Sequence, residues 1–450
     1  MAAKATELQP LHEADKEKGE VDAAEEVAPE DEKNIVFLII LLHGIGTLMP
    51  WNMLINISYD YYENYKMLSN ATINLQTGSV TGTPNSFSSN FQNYQTIAAQ
   101  VPNLLLNFIN IFVVVKGGLV KRITASLTVV AIAVISTMSF IYVDTSSWLT
   151  GFFALTIVTI IILNGANGVY QNSIFGLASD FPFKYTNAVI IGNNLCGTFV
   201  TLLSMATKAF TNNVLDRAFA YFSISLITLA LCFGSFFLLK TRPFYRYHTT
   251  RAARQRSKNE STSEKRGASY YIETFRQAFP ALLNVFLVFF VTLSIFPGIM
   301  MYIQDAPHGE KYNFPLPEKY FMDITTFLSF NVFAFIGSLV AGKFQYPGPN
   351  KLWIPVYLRL LYIPFFAMCN FLPATRTFPV WFPSTWLYVI VGATMSFGSG
   401  YFSGLAMMYA PRSVDPSRAQ TAGMMAGFSL ILGIVVGLLF TIVVKAIITA

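Results

Sequence analysis

The feature that most constrains this chain is a series of apolar blocks, each about 20 residues or longer, separated by polar connectors. A helix of that length spans the roughly 30 Å hydrocarbon core of a bilayer. Of the 450 residues, 53% are hydrophobic and only 12% are charged, and the mean hydropathy is +0.48. The surface of a soluble protein cannot be built from that composition. The sequence therefore predicts an all-α integral membrane protein.

Eleven of these blocks are long enough to be transmembrane helices, with six before a basic connector and five after it. Six-plus-five bundles joined by a linker are the layout of major-facilitator-like carriers, in which the substrate binds at mid-depth between the bundles. The predicted spans are 34–57, 94–115, 123–143, 148–177, 188–207, 218–239, 281–302, 320–344, 354–370, 386–410 and 421–448.

Lys and Arg are concentrated in alternate connectors, and positively charged loops remain on the cytosolic side of a membrane. The N-terminus is therefore predicted inside and, after eleven crossings, the C-terminus outside. The connector 58–93 is then external, and the sequon Asn70-Ala71-Thr72 predicts N-glycosylation at Asn70. The predicted domains are a disordered cytosolic tail (1–33), a six-helix bundle (34–239), a basic cytosolic linker (240–276) and a five-helix bundle (277–450).

The basic linker also contains a phosphorylation pattern, because Ser269 follows Lys265 and Arg266. Such short patterns often arise by chance, so a plain solvated linker is the alternative interpretation. The three cysteines lie inside apolar blocks, and the sequence has no CxxC motif and no His-rich tract, so neither disulfides nor a metal site is predicted. The distribution of the basic residues is explained by the orientation of the chain in the membrane. We therefore expect membrane lipid and a small substrate as partners, no nucleic acid and no obligate protein partner.

Amide side chains recur inside two apolar blocks at helical spacing. One interpretation is that they join helices by hydrogen bonds. The other is that they line a water-filled path, since each amide in a dry bundle needs a partner. Several stripes together favour a polar central cavity. Each stripe falls on one helical face: Gln100, Asn103, Asn107 and Asn110 in the second span, and Asn164, Asn167 and Gln171 in the fourth.

Such a cavity is neutral and suits hydroxyl groups and the edges of heterocycles better than ions. Trp51 in the first span offers a ring face to a planar ligand. The sequence has no GxSxG, HExxH or GxGxxG motif, so we predict neither an enzyme nor a bound cofactor. A transporter fits best, and a membrane receptor or sensor for a small neutral ligand is the alternative.

Residues 44–52, Gly-Ile-Gly-Thr-Leu-Met-Pro-Trp-Asn, resemble the opening of the first span in the equilibrative nucleoside transporter family. The resemblance covers nearly everything after the N-terminal tail. It implies facilitative, bidirectional transport of purine and pyrimidine nucleosides across the plasma membrane by alternating access. The further matching motifs are Gln171 with 174–177, 244–247, Phe296-Pro297, Phe330-Asn331, Arg359, Cys369-Asn370, Gly400-Tyr401 and 421–423.

The resemblance also implies a pocket, from which this chain departs in two places. The eighth span of the family usually carries an Asp and an Arg, where this chain has Ala334 and Ser338. Gln100 and Asn103 stand at positions that are commonly apolar in the family. The predicted pocket is therefore amide rather than ionic, with nucleobases as substrates to consider beside nucleosides. The predicted substrate-binding residues are Leu48, Trp51, Ile55, Gln100, Asn103, Gln171, Asn331, Ala334, Ser338 and Ile434.

Overall fold

A computed structural model describes residues 28–74, 78–113, 118–262, 267–305, 311–373 and 375–449. Within these ranges the regular structure is helical apart from one two-stranded hairpin. The helices of the N-terminal half are α1 (Ile35–Ile57), α2 (Phe91–Phe112), α3 (Gly118–Ser139), α4 (Leu149–Ala178), α5 (Lys184–Phe210) and α6 (Val214–Thr241). The polar helix α7 (Pro243–Thr262) precedes α8 (Ala268–Ile295), α9 (Ser329–Lys343), α10 (Trp353–Ala367), α11 (Thr385–Tyr409) and α12 (Ala419–Thr449).

Nine helical segments in the described ranges are long and apolar enough to cross a membrane. They include the helices above except α2, α10 and the polar α7. α2 has 22 residues, so its length suffices, but its amide stripe lowers its hydropathy. α10 is shorter, and a 3-10 turn at Arg359–Leu361 interrupts it. The prediction of a helical, multi-pass membrane protein is confirmed.

Close backbone contacts at glycines hold the N-terminal half together. A Cβ atom at Gly44 of α1 would lie 2.4 Å from the Val189 carbonyl oxygen, and one at Gly192 of α5 would lie 2.2 Å from the Leu41 carbonyl oxygen. In addition, α2 and α3 pack against α4, and α6 packs against α1. Small residues allow this approach in a bilayer, where helix association depends on packing rather than on the hydrophobic effect.

The C-terminal half is built in the same way, with α8 along α12 and α9 along α11. A Cβ atom at Gly433 would lie 2.5 Å from the Phe286 carbonyl oxygen, and one at Gly437 would lie 2.6 Å from the Phe290 carbonyl oxygen. The two halves meet where α5 contacts α9 and α11, and where α12 contacts α2 and α4. Any site between the halves is therefore bordered by these helices.

The predicted external connector 58–93 contains more regular structure than a loop. α1 continues as a π-helical segment, Ser58–Lys66, which is followed by strands β1 (Ser69–Asn74) and β2 (Ser79–Thr83). The two strands pair as an antiparallel hairpin, and Asn70 is exposed on β1. An ion pair of 2.8 Å between Asp60 and Arg217 attaches the π-helical segment to α6.

Part of the predicted linker 240–276 is the helix α7, whose start packs against the N-terminal half. Phe244 and Tyr245 of α7 are buried, and the ring centroids of Phe244 and Tyr185 are 5.1 Å apart. α8 starts at Ala268, earlier than the predicted 281, because Pro280 is accommodated inside the helix. Ser269 is exposed in the first turn of α8, whereas Lys265 and Arg266 of its kinase pattern lie outside the described residues.

Residues 28–33, the end of the predicted N-terminal tail, belong to the described structure. Residues 1–27 of that tail lie outside the described residues. Asp31, however, accepts hydrogen bonds from the backbone N–H groups of Val36 and Phe37, each at 3.0 Å. A carboxylate in this position satisfies free donors at the helix N-terminus and interacts favourably with the helix dipole. Asp31 therefore contacts α1 from within the segment that was predicted as a tail.

Candidate functional site

The two amide stripes face each other because α2 and α4 approach closely. A Cβ atom at Gly168 of α4 would lie 2.6 Å from the carbonyl oxygen of Asn103 and 3.1 Å from its Oδ1. One turn earlier, a Cβ atom at Gly165 would lie 2.9 Å from the Leu106 side chain. Glycine on α4 thus brings the polar faces of both helices into one interface.

The part of the α2 stripe nearer α3 takes part in joining helices, although Asn107 Nδ2 has no partner among the described residues. Asn172 Nδ2 donates to Asn107 Oδ1 at 2.8 Å and to the Met424 carbonyl oxygen of α12 at 2.7 Å. Asn110 Nδ2 donates to Asn172 Oδ1 at 2.8 Å, and Arg122 donates to Asn110 Oδ1 at 2.8 Å. For Asn107 and Asn110, helix joining is the correct interpretation.

Gln171, Asn103 and Asn167 differ, because the carboxamide oxygen of each accepts no hydrogen bond from any described residue. Gln171 is 1% exposed, and neither its Oε1 nor its Nε2 has a partner in the described chain. Asn103 Oδ1 and Asn167 Oδ1 are likewise buried and without a described partner. Leaving a buried polar group unsatisfied costs about 1–3 kcal/mol. Three unbonded carboxamide oxygens on two facing helices are candidates for hydrogen bonds from a ligand.

The neighbours of Gln171 fix the direction in which its side chain points. The Tyr170 hydroxyl lies 2.7 Å from His43 Nδ1 on α1, whereas Asn172 faces α2 and α12. Successive side chains of an α-helix are about 100° apart around the axis. Gln171 therefore points between α1 and α12, and Asn167, one turn earlier, shares that face.

The predicted apolar residues and Gln100 lie on α1, α2 and α12, which all contact α4. Gln100 is half-buried and lies on the same face of α2 as Asn103. The apolar residues are also half-buried: Leu48, Trp51 and Ile55 on α1, and Ile434 on α12.

The three predicted residues of α9 lie in the α5–α9 seam, the contact surface between these two helices. The Ala334 carbonyl oxygen accepts from Asn194 Nδ2 at 3.3 Å, and the Ser338 carbonyl oxygen accepts from Asn187 Nδ2 at 2.8 Å. Ala334 and Ser338 are 1% and 0% exposed, whereas Asn331 is half-buried. Helix packing encloses the side chains of Ala334 and Ser338 in this conformation, and their contact with substrate stays a prediction.

Two polar residues inside predicted spans serve packing within one half. His43 lies between the hydroxyl groups of Tyr170, at 2.7 Å, and Ser235, at 3.1 Å. Arg359 donates to Thr292 Oγ1 at 2.9 Å and to a carbonyl oxygen of α11 at 3.0 Å. These contacts join α1 to α4 and α6, and α10 to α8 and α11, so both residues have structural partners away from the three carboxamides.

Two packed helical halves with a polar site at their contact define a membrane carrier. Among solved structures, the chain is similar to the major facilitator superfamily proton:xylose symporter XylE, with a TM-score of 0.62 and 11% identity. The match covers 93% of this chain and 90% of that chain, and at this identity it concerns the fold alone. A family model described as nucleoside transporter matches residues 157–446. The chain belongs to the nucleoside transporter family.

Named relatives extend the match over nearly the full length. The chain is 27% identical to equilibrative nucleoside transporter 1 of Homo sapiens, covering 93% of this chain and 99% of the relative. It is 28% identical to equilibrative nucleoside transporter 3 of Rattus norvegicus, covering 91% of this chain and 88% of the relative. The resemblance seen in the sequence motifs is confirmed. The match is with transporters and gives no support to the receptor alternative.

Proposed function

We propose that this protein is a facilitative transporter that moves nucleosides down their concentration gradient by alternating access between its two halves. The observation that carries the proposal is the group of buried carboxamide oxygens at Asn103, Asn167 and Gln171, which accept no hydrogen bond from a described residue. Nucleosides present hydroxyl, carbonyl, amine and ring-nitrogen groups that can form these missing bonds. The names of the relatives support the same class of substrate.

Within this site, each predicted residue has a distinct proposed role. Gln171 offers one acceptor and two donors, enough to bind a base edge through two hydrogen bonds. Trp51 is proposed to stack on the base, as aromatic rings do with planar ligands. Asn331 is proposed as the contact from the C-terminal half. Apolar walls and further amides come from Leu48, Ile55, Ile434, Gln100 and Asn103.

Nucleobases are a second candidate class of substrate. A carboxamide site reads the edge of a base without requiring ribose, and carboxamides carry no charge that would select an ion. Ala334 and Ser338 stand where the family usually carries an Asp and an Arg, and both are enclosed in the α5–α9 seam. The loss of that pair favours substrates whose recognition depends on the base.

Transport of labelled uridine into proteoliposomes tests the proposed function. We expect uptake to stop when the inside and outside concentrations are equal, because none of the proposed site residues carries a charge that could couple transport to an ion gradient. Competition by nucleosides, nucleobases and monoamines then ranks the substrate classes. Accumulation above the external concentration under an inward proton gradient would contradict a facilitative mechanism. Binding of uridine without uptake would instead favour the alternative of a receptor.

The proposed topology has eleven crossings, with α2 and α10 added to the nine apolar segments. The N-terminus is then cytosolic, the C-terminus is extracellular, and the plasma membrane is the proposed location. Two features support this arrangement: most basic connectors fall on one side, and the hairpin bearing Asn70 falls on the other.

Asn70→Gln is expected to abolish a glycosidase-sensitive shift in electrophoretic mobility when the protein is expressed in cells that glycosylate. Asn70 is exposed on a hairpin, where a glycan can extend into solvent without disturbing the helices. Asn56→Gln is the matched control, because the sequon Asn56-Ile57-Ser58 begins in the last turn of α1, at the end of the predicted first span. A shift that survives Asn70→Gln but is lost in Asn56→Gln would overturn the proposed site.

A further inference from the structure

Polar side chains repeat along α5 at an interval of seven residues, and all of them bond or pair with one other helical segment. The positions are Asn187, Asn194, Thr201 and Lys208. Each contact reaches α9 or the π-helical turn Asp323–Leu328 directly before it. A seven-residue interval keeps side chains on one side of a helix that packs against a partner at a shallow angle.

The two contacts nearer the linker are hydrogen bonds from carboxamides to backbone carbonyl oxygens. Asn187 Nδ2 donates to the Ser338 carbonyl oxygen at 2.8 Å, and Asn194 Nδ2 donates to the Ala334 carbonyl oxygen at 3.3 Å. Asn187 is 1% exposed, so its bond is shielded from water. A backbone carbonyl oxygen is present whatever the side chain of its residue. These two hydrogen bonds therefore do not depend on the charged residues that the family usually carries in α9.

The two contacts at the opposite end involve side chains on both helices. Asn331 Nδ2 donates to Thr201 Oγ1 at 3.3 Å. Lys208 Nζ and Asp323 Oδ2 are 3.7 Å apart, with side-chain exposures of 44% and 16%. The series therefore ends in a partly exposed ion pair, which is weaker than a buried one and screened by salt.

Glycines on α5 and α11 leave space for the side chains and carbonyl oxygens that form these contacts. A Cβ atom at Gly197 of α5 would lie 1.9 Å from Asn331 Oδ1. On α11, a Cβ atom at Gly404 would lie 2.4 Å from Asn187 Oδ1, and one at Gly400 would lie 1.8 Å from the Ala334 carbonyl oxygen. α5 and α11 thus both touch α9 directly, and a change in the angle between the halves must move these contacts.

We propose that the α5–α9 seam is the hinge about which the two halves rock, and that its two end contacts determine which side opens. The Asn187 bond holds the linker side closed, and the Lys208–Asp323 pair holds the opposite side closed. The inference rests on the two-bundle carrier proposed above. It adds specific residues that set the balance between its conformations.

Distances between spin labels at the two ends of the seam test this proposal in the full-length protein. Lys184→Cys with Lys343→Cys reports on the linker side, and Phe210→Cys with Met322→Cys reports on the opposite side. All four residues are exposed, whereas the native cysteines are buried and react slowly. The distances are measured without substrate, so failure of the transport assay and failure of this proposal are distinguishable.

Asn187→Leu is expected to raise the population with a long linker-side distance by roughly two- to tenfold, the equivalent of one hydrogen bond. Lys208→Met is expected to raise the long-distance population on the opposite side by up to about fivefold, since exposed ion pairs contribute less. The charge-swapped Lys208→Asp with Asp323→Lys should restore the original distribution.

Asn193→Leu is the matched control, because Asn193 of α5 accepts from Thr47 within the N-terminal half. It should change neither distance. Should Asn187→Leu fail to fold, Asn187→Ala removes the same donor without added bulk. The proposal is overturned if folded variants of both ends shift the same pair of labels, or if neither end shifts its own pair.

Discussion

Gln171→Leu is expected to reduce kcat/KM for uptake by the equivalent of about 1–3 kcal/mol, or up to two orders of magnitude in rate. Both polar atoms of the side chain are buried and unbonded among the described residues, so substrate is their proposed partner. Leucine fills a similar volume and removes a polar group from the membrane, so insertion and surface expression should be unchanged. Initial rates of labelled uridine uptake at several concentrations give the measurement.

Asn164→Leu is the control for that variant, on the same helix and of the same chemistry. Asn164 Nδ2 donates to the Ile160 carbonyl oxygen in its own helix at 3.0 Å, so leucine there removes a local bond only. Uptake should remain close to that of the unmodified protein. Equal losses of uptake in Gln171→Leu and Asn164→Leu would show that uptake depends on the polarity of α4 and not on a contact between Gln171 and substrate.

The amide stripe of α2 shows which features of the site the sequence predicts and which it does not. Its spacing predicts one polar face, and the structure places Asn103 and Asn107 on that face one turn apart. Their surroundings differ, because Asn172 reaches Asn107 and also the Met424 carbonyl oxygen of α12. The sequence cannot predict this difference, since it depends on where a helix more than 250 residues away is packed.

In the C-terminal half, too, the sequence does not predict which distant helix a residue contacts. The sequence places Asn331, Ala334 and Ser338 on one face of α9, and their spacing is consistent with a shared pocket. Asn187 and Asn194 of α5 instead donate to the backbone carbonyl oxygens of Ser338 and Ala334, and no motif specifies these contacts. The seven-residue repeat on α5 was present in the sequence. It could have been found as a signal of helix packing, although not its partner.

Arg256→Gln is expected to lower the free energy of unfolding by about 3–5 kcal/mol, because it leaves a buried carboxylate without its partner. Arg256 of α7 pairs with Asp180, in the turn between α4 and α5, at 2.7 Å, and the Asp180 side chain is only 5% exposed. Thermal unfolding of the purified protein gives the measurement. Arg254→Gln, at an exposed position on the same helix, should have little effect. Asp180→Asn in the Arg256→Gln background should restore most of the stability.

The pH dependence of this defect has a defined sign. Burial raises the pKa of Asp180 above its usual range, and Arg256 opposes that shift. A raised pKa in the folded state means that the free energy of unfolding falls as pH rises through it. Without Arg256 the pKa of Asp180 rises further, so the loss of stability should be larger at high pH, where the carboxylate is charged, and smaller at low pH, where the carboxyl is protonated. The Asp180→Asn, Arg256→Gln double variant should lack this dependence. A defect of Arg256→Gln that does not change with pH would assign its cause to lost packing of the Arg256 stem instead of the unpaired carboxylate.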